Sequence, residues 1–236
     1  MNQLEVCFSP ELIHLHDLEG KIVVVVDIFR ATSTMIAALA NGIEEIQTFA
    51  DLESCRSMRE KGYLIAGERN GKTVEGFDLG NSPVAFLEEY YGGKKLAMTT
   101  TNGTLAISKS QSADEILIGA FPNFSSSIRY IQAQQKDVLI HCAGWKGRFN
   151  LEDSLYAGAL AKALEGTHSS DDDGALAMKT LFEKEGHQLK QYLSKASHAK
   201  RLQNQGIEKD IDFCLTLDLY YLVGKVVNDR VRPISF

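Results

Sequence analysis

Five consecutive β-branched residues, Ile22 to Val26, end abruptly at Asp27. An unbroken apolar run of this length suits a strand buried on both faces, as in a parallel sheet covered by helices. Residues 32–39 then read as a helix, stopped by Asn41-Gly42. A strand over 45–49, a helix over 52–61 opening near Asp51, and a strand over 63–67 complete a βαβαβ unit. Residues 68–83 carry Gly71, Gly76, Gly80 and Pro83 and show no periodicity. Loops of roughly 15 residues without an element of their own are uncommon and often functional.

After a short helix over 84–91 the alternation resumes. Strands are predicted over 95–99, 115–119 and 137–143, and helices over 103–109, 123–133 and 151–164. Residues 165–174 read as a polar turn whose Asp171 to Asp173 cap a helix, since the other ligands of a Ca²⁺ loop are missing. Amphipathic helices follow over 175–184 and 187–202, then a short helix over 211–215 and a strand over 220–227 that returns to the sheet. The class predicted is α/β, a three-layer α/β/α arrangement on a largely parallel or mixed sheet. One domain over 1–236 is expected, or two closely packed subdomains meeting near 84–94. Apolar strands end in hydroxyl- or Gly-rich turns at Asp27, Thr99 and Cys142, which leaves an internal duplication open. Ligands of open α/β sheets lie outside the carboxyl ends of the strands, so these turns should face a common crevice.

Composition narrows the partners. With 25 Lys and Arg against 31 Asp and Glu, the net charge of −6 gives no field for nucleic acid. An anionic substrate must therefore be held by locally placed cations, N–H groups or a metal. The longest apolar run is far below the ~20 residues of a membrane span. Cys7, Cys55, Cys142 and Cys214 are scattered singly. Together with acidic residues in place of a leader-like start, this points to a cytoplasmic protein.

Four segments carry candidate chemistry. In Asp27-Ile-Phe-Arg-Ala-Thr-Ser-Thr34, a strand-end carboxylate precedes Arg30, Thr32 and Ser33 at a helix start, a set able to hold a phosphate and a cation, or simply to cap the helix. Glu68 and Arg69 open the glycine-punctuated loop. Thr100, Thr101 and Asn102 offer a dense donor set at the next strand end. Lys146 and Arg148 lie in a Gly-flanked loop before Glu152 and Asp153, acids that the helix dipole alone would favour. His198 stands near Lys200 and Arg201, within reach of an anion or on a surface helix.

Taken together, the segments DIFRATST, GERNG with VEGFDLGNSP, TTTNGT and CAGWKGRFNLEDSLYAGAL, continuing into SHAKRL and DIDFCLTLD, resemble the 2-phosphosulfolactate phosphatase family over nearly the whole chain. Residues 168–179 and 219–236 fall outside the likeness. The resemblance implies Mg²⁺-dependent hydrolysis of (2R)-2-phospho-3-sulfolactate to 3-sulfolactate, a step of coenzyme M biosynthesis. On that reading Asp27, Arg30 and Glu68 are catalytic, and Asp27, Glu68 and Asp153 lie near the metal. Thr32, Ser33, Arg69, Thr100, Thr101, Asn102, Lys146, Arg148 and His198 bind substrate. Direct attack by water is favoured over an aspartyl-phosphate, because the residue two after Asp27 is Phe29. Another phosphorylated hydroxyacid as substrate and a non-catalytic anion-binding protein are the alternatives. Enzymes of this size and class are often homodimers.

Overall fold

A computed structural model of the chain describes residues 1–69, 71–203 and 207–234. Asn70 of the GERNG motif and the last two residues of the tail thus lie outside the described residues. In chain order the strands are β1 (Asn2–Cys7), β2 (Ile22–Val26), β3 (Glu45–Thr48), β4 (Leu64–Arg69), β5 (Lys72–Thr73), β6 (Lys95–Thr99), β7 (Glu115–Gly119), β8 (Val138–Cys142), β9 (His168–Ser169), β10 (Val223–Val227) and β11 (Arg230–Ile234). The α-helices are α1 (Ala31–Ala40), α2 (Leu52–Ser57), α3 (Gly103–Lys109), α4 (Phe124–Gln134), α5 (Leu151–Leu164), α6 (Asp173–Glu185), α7 (Leu189–Leu193), α8 (Ser197–Gln203) and α9 (Glu208–Cys214).

All described strands join one mixed sheet in the order β5-β4-β6-β3-β11-β10-β7-β2-β8-β1-β9. Side chains alternate between its faces with the period of two that a pleated strand imposes. Ile22, Val24 and Val26 enter one apolar core with α5, while Val23 and Val25 enter the other with α1. Helix α1 is buried from Ala31 to Leu39, and so its sequence is apolar or small all round rather than amphipathic.

The topology contains a repeat. The unit β2-α1-β3-α2-β4 is followed by β6-α3-β7-α4-β8, and the two interlock. Strand β2 lies between β7 and β8 of the second unit, and β6 lies between β3 and β4 of the first, all in parallel. At the centre the antiparallel hairpin β10–β11 joins β7 to β3, with Lys225 opposite Arg232. Each repeat begins its second strand with a buried glutamate held by the hairpin. Glu115 meets Lys225 at 2.7 Å and Tyr130 at 2.6 Å, and Glu45 meets Arg232 at 2.6 Å and Tyr63 at 2.6 Å. Passing through three antiparallel pairings, the halves run in opposite senses, and in a flat sheet their carboxyl ends would point apart. They meet at one cavity, which requires the accumulated twist of a strongly coiled sheet.

Several elements differ from those predicted. β1 was not expected, because NQLEVC is too polar to read as a strand and its burial alternates only weakly. β11 was missed because two arginines and Pro233 break its apolar pattern, and β5 and β9 are only two residues long. The helix expected over 84–91 is a 3₁₀ turn over Val84–Leu87. The helix expected over 187–202 is broken into a 3₁₀ turn over Gly186–Gln188, then α7 and α8, so that α8 can fold back over the strand ends. The four cysteines are buried free thiols, and among the described residues no helix is long and apolar enough to cross a membrane.

Candidate active site

A cavity of about 280 Å³ opens at the carboxyl ends of β2, β4, β6 and β8. The turn after β2 contributes Asp27, Phe29 and Arg30, and the turn after β6 contributes Thr100, Thr101 and Asn102. Glu68 enters from β4, Trp145 and Lys146 from the loop after β8, and His198 and Arg201 from α8.

The two turns are built alike. The Thr32 hydroxyl donates to the Asp27 carbonyl at 3.0 Å and accepts from the Asp27 N–H at 3.0 Å. Thr104 makes the same pair of bonds to Thr100, at 2.9 and 3.4 Å. The helix starts touch because residue 103 is glycine. A Cβ there would stand 2.6 Å from the Ala31 Cβ and 2.8 Å from Asp27 Oδ2.

Asp27 is 6% exposed. Burial raises its pKa, His198 and the Ala31 N–H offset part of this, and Glu152 and Glu68 raise it further. Arg30 is buried and forms an ion pair with Asp210, which also accepts from Ser82 Oγ at 2.6 Å. His198 Nδ1 lies 2.6 Å from Glu152 Oε1 in a buried pair that leaves Nε2 without a protein partner among the described residues. Asn102 Oδ1 accepts from the Lys146 N–H at 3.1 Å, tying the second turn to the loop after β8.

Of the residues expected from sequence, Asp27, Arg30, Glu68, Thr100, Thr101, Asn102, Lys146 and His198 line the cavity. Others are placed elsewhere. The hydroxyls of Thr32 and Ser33 are fully buried and turn back to the carbonyls of Asp27 and Ile28, so they brace the turn. Arg69 bonds Thr99 Oγ1 at 2.9 Å and its neighbour's carbonyl, tying β4 to β6. Arg148 is exposed and does not line the cavity.

Asp153 does not join Asp27 and Glu68 at the cavity. Its oxygens accept from the N–H groups of Ile28 at 2.8 Å and Gly144 at 3.1 Å and from Asn150 Nδ2 at 2.8 Å. A carboxylate so saturated is a clamp between the β2 turn, the β8 loop and α5. Among the described residues no three His, Cys, Asp or Glu side chains converge as a metal cage. The pair Asp27 and Glu68 still fits Mg²⁺, which commonly takes one or two carboxylates and keeps water or substrate oxygens as its other ligands.

Sequence reasoning discounted Glu152 as an acid that the helix dipole alone would favour and treated Arg201 only as a neighbour of His198. Spacing carries no signal for either, because the Glu152–His198 contact spans 46 residues.

Open α/β sheets bind their ligands in strand-end cavities of this kind, and the molecule belongs to that class of protein. The comparisons are more specific. Residues 7–229 match the family described as 2-phosphosulpholactate phosphatase. A probable 2-phosphosulfolactate phosphatase of Thermotoga petrophila is 42% identical over 211 residues, covering 89% of this chain and 91% of that protein. Proteins of the same description from Caldanaerobacter subterraneus and Gloeobacter violaceus are 39% and 41% identical, each covering 92% of both chains. The chain belongs to the 2-phosphosulfolactate phosphatase family, whose described activity is that of a phosphoric monoester hydrolase.

Proposed function

We propose that the protein hydrolyses (2R)-2-phospho-3-sulfolactate to 3-sulfolactate and phosphate with Mg²⁺, in the cytoplasm, as a step of coenzyme M-type biosynthesis. The observation that carries this reading is the meeting of Asp27, Glu68 and Arg30 with the neutral donors Thr100, Thr101 and Asn102 in one cavity, in a chain of this family.

Asp27 and Glu68 would hold Mg²⁺, which when bound neutralises phosphoryl charge and acts as a Lewis acid. Arg30, oriented by Asp210, and the hydroxyl and amide groups of the second turn hold the phosphate. Water attacks phosphorus and the bond to the C2 oxygen breaks. Because phosphoryl transition states are loose, positioning the water matters more than deprotonating it. His198, held by Glu152 through Nδ1, gives its Nε2 proton to the departing oxygen. Both hydrogens of the attacking water go with the phosphate, which returns one of them to His198 Nε2 as it leaves as hydrogen phosphate. Phe29 occupies the position where an aspartyl-phosphate mechanism would place a second acid, which favours direct attack.

Phosphate release from phosphosulfolactate, phospholactate and phosphoglycolate, each with and without Mg²⁺, tests the reading. Mg²⁺-dependent release that is fastest with phosphosulfolactate is expected. Release from none of the three would overturn the enzymatic reading, and faster release from another ester would change the substrate.

A further inference from the structure

The positive charges around the cavity are not equivalent. Arg30 is neutralised by its ion pair with Asp210. Arg201 and Lys146, which also line the cavity, form no ion pair among the described residues. The Arg201 guanidinium lies 3.7 Å from the centre of the Trp145 ring, close enough for face-on stacking, and Lys146 Nζ lies 5.4 Å from the same centre. His198 packs on this indole as well, with ring centres 5.1 Å apart. Trp145 thus joins the proton-carrying residue to the two cations.

Arg201 Nη2 is buried and has no hydrogen-bond partner among the described residues. Glu152 acts on Arg201 electrostatically, and its Oε2 is likewise buried without a partner, but the two form no ion pair and Oε1 is engaged by His198. A buried donor on a charged group is costly to leave unmade. An arginine held flat against an aromatic ring, with a donor unused and its face on a polar cavity, is suited to meet an acceptor brought by the ligand.

We propose that Arg201, stacked on Trp145 and assisted by Lys146, is the subsite for the substrate's sulfonate and sets the preference for phosphate esters that carry a second strong anion. This inference rests on the phosphatase reading for its substrate, and it separates the two ends of the cavity. The phosphate lies at Asp27, Arg30 and Thr100 to Asn102, and the sulfonate lies under Trp145. Two cations from different chain segments offer donors from more than one direction, which suits the three oxygens of a tetrahedral sulfonate. A planar carboxylate is already matched by one guanidinium fork. Arg148, three residues after Trp145 and expected from sequence to bind substrate, is exposed.

The test compares kcat/KM for phosphosulfolactate and phospholactate in the wild type, Arg201→Met and Arg201→Lys. In the wild type the sulfonate ester is preferred. In Arg201→Met that preference falls by about 50-fold, mostly through KM, as expected for loss of a charged hydrogen-bonding partner. Arg201→Lys recovers part of it. An equal loss on both substrates, or an unchanged preference, would overturn the subsite. Calorimetric binding of 3-sulfolactate and of inorganic phosphate decides the matter even if the wild type hydrolyses neither ester. Weaker binding of 3-sulfolactate with phosphate binding kept supports the subsite and also shows that the variant is folded. Unchanged 3-sulfolactate binding overturns it.

Discussion

The turns after β2 and β6 occupy equivalent places in the two repeats and share one backbone device, a threonine hydroxyl that both donates to and accepts from the residue following the strand. They differ in what they present to the cavity. The first carries Asp27 and Arg30, a buried acid and a buried cation paired to Asp210. The second presents the uncharged side chains of Thr100, Thr101 and Asn102. A near-symmetric scaffold thus carries an asymmetric site, with charged groups on one turn and neutral donors on the other. Both helices use the backbone brace, while only one of the two turns carries the charged groups.

The largest expected effect tests that asymmetry directly. Asp27→Asn keeps the shape of the turn and removes the charge, so kcat should fall by about 10³-fold, with the fold intact by circular dichroism. Near-normal turnover would remove Asp27 from the chemistry. Arg30→Met should lower kcat/KM by about 10²-fold and also destabilise the protein by about 3–5 kcal/mol, because Asp210 is left buried and unpaired. Adding Asp210→Asn should restore much of the stability in denaturant titration and none of the activity. If both return together, Arg30 is a structural residue.

Gly103→Ala probes the contact between the turns. Its Cβ would overlap Ala31 and Asp27, so a loss of about 1–3 kcal/mol is expected, with a fall in activity of about 10-fold as Asp27 is displaced. An alanine variant with wild-type melting and turnover would show that the turns are not held by this contact. Thr32→Val and Thr104→Val remove the shared brace. Each should cost about 1–2 kcal/mol, similar within error, while turnover falls more for Thr32→Val. A large inequality in stability would mean the two braces are not equivalent.

The smallest effect concerns a feature that the two repeats share. Burial pushes the carboxyls of Glu45 and Glu115 up. Tyr63, Arg232 and Lys95 in one case, and Lys225, Tyr130 and Lys136 in the other, outweigh it and hold each at about 2. A folded-state pKa below the ordinary ~4.3 adds stability that is complete above that value and disappears as pH falls toward about 2. Glu45→Gln and Glu115→Gln should therefore each cost about 1–2 kcal/mol at neutral pH, with the cost vanishing across this acid window in urea titrations. A cost that persists below pH 2 would assign the loss to packing.

Much of this architecture is legible in the sequence. The run Ile22 to Val26 identifies a doubly buried strand and Asp27 its end, and three polar strand ends announce the crevice. These are local signals, arising from a strand's side-chain alternation and from the polar groups needed where strand becomes helix. The order of the strands is not local. Nothing in β2 alone indicates that it lies between β7 and β8 of the other repeat, since any strand with both faces apolar satisfies the same pattern. Nor does spacing reveal that the hydroxyls of Thr32 and Ser33 turn inward, that Asp153 is saturated by N–H donors, or that Glu152 orients His198. Sequence determined most of the longer elements, the family and most of the residues that line the cavity. Tertiary structure alone decided which polar groups are spent on the fold and which remain free for a ligand, because hydrogen-bond partners, desolvation and charge pairing come from segments brought together only when the two repeats interlock.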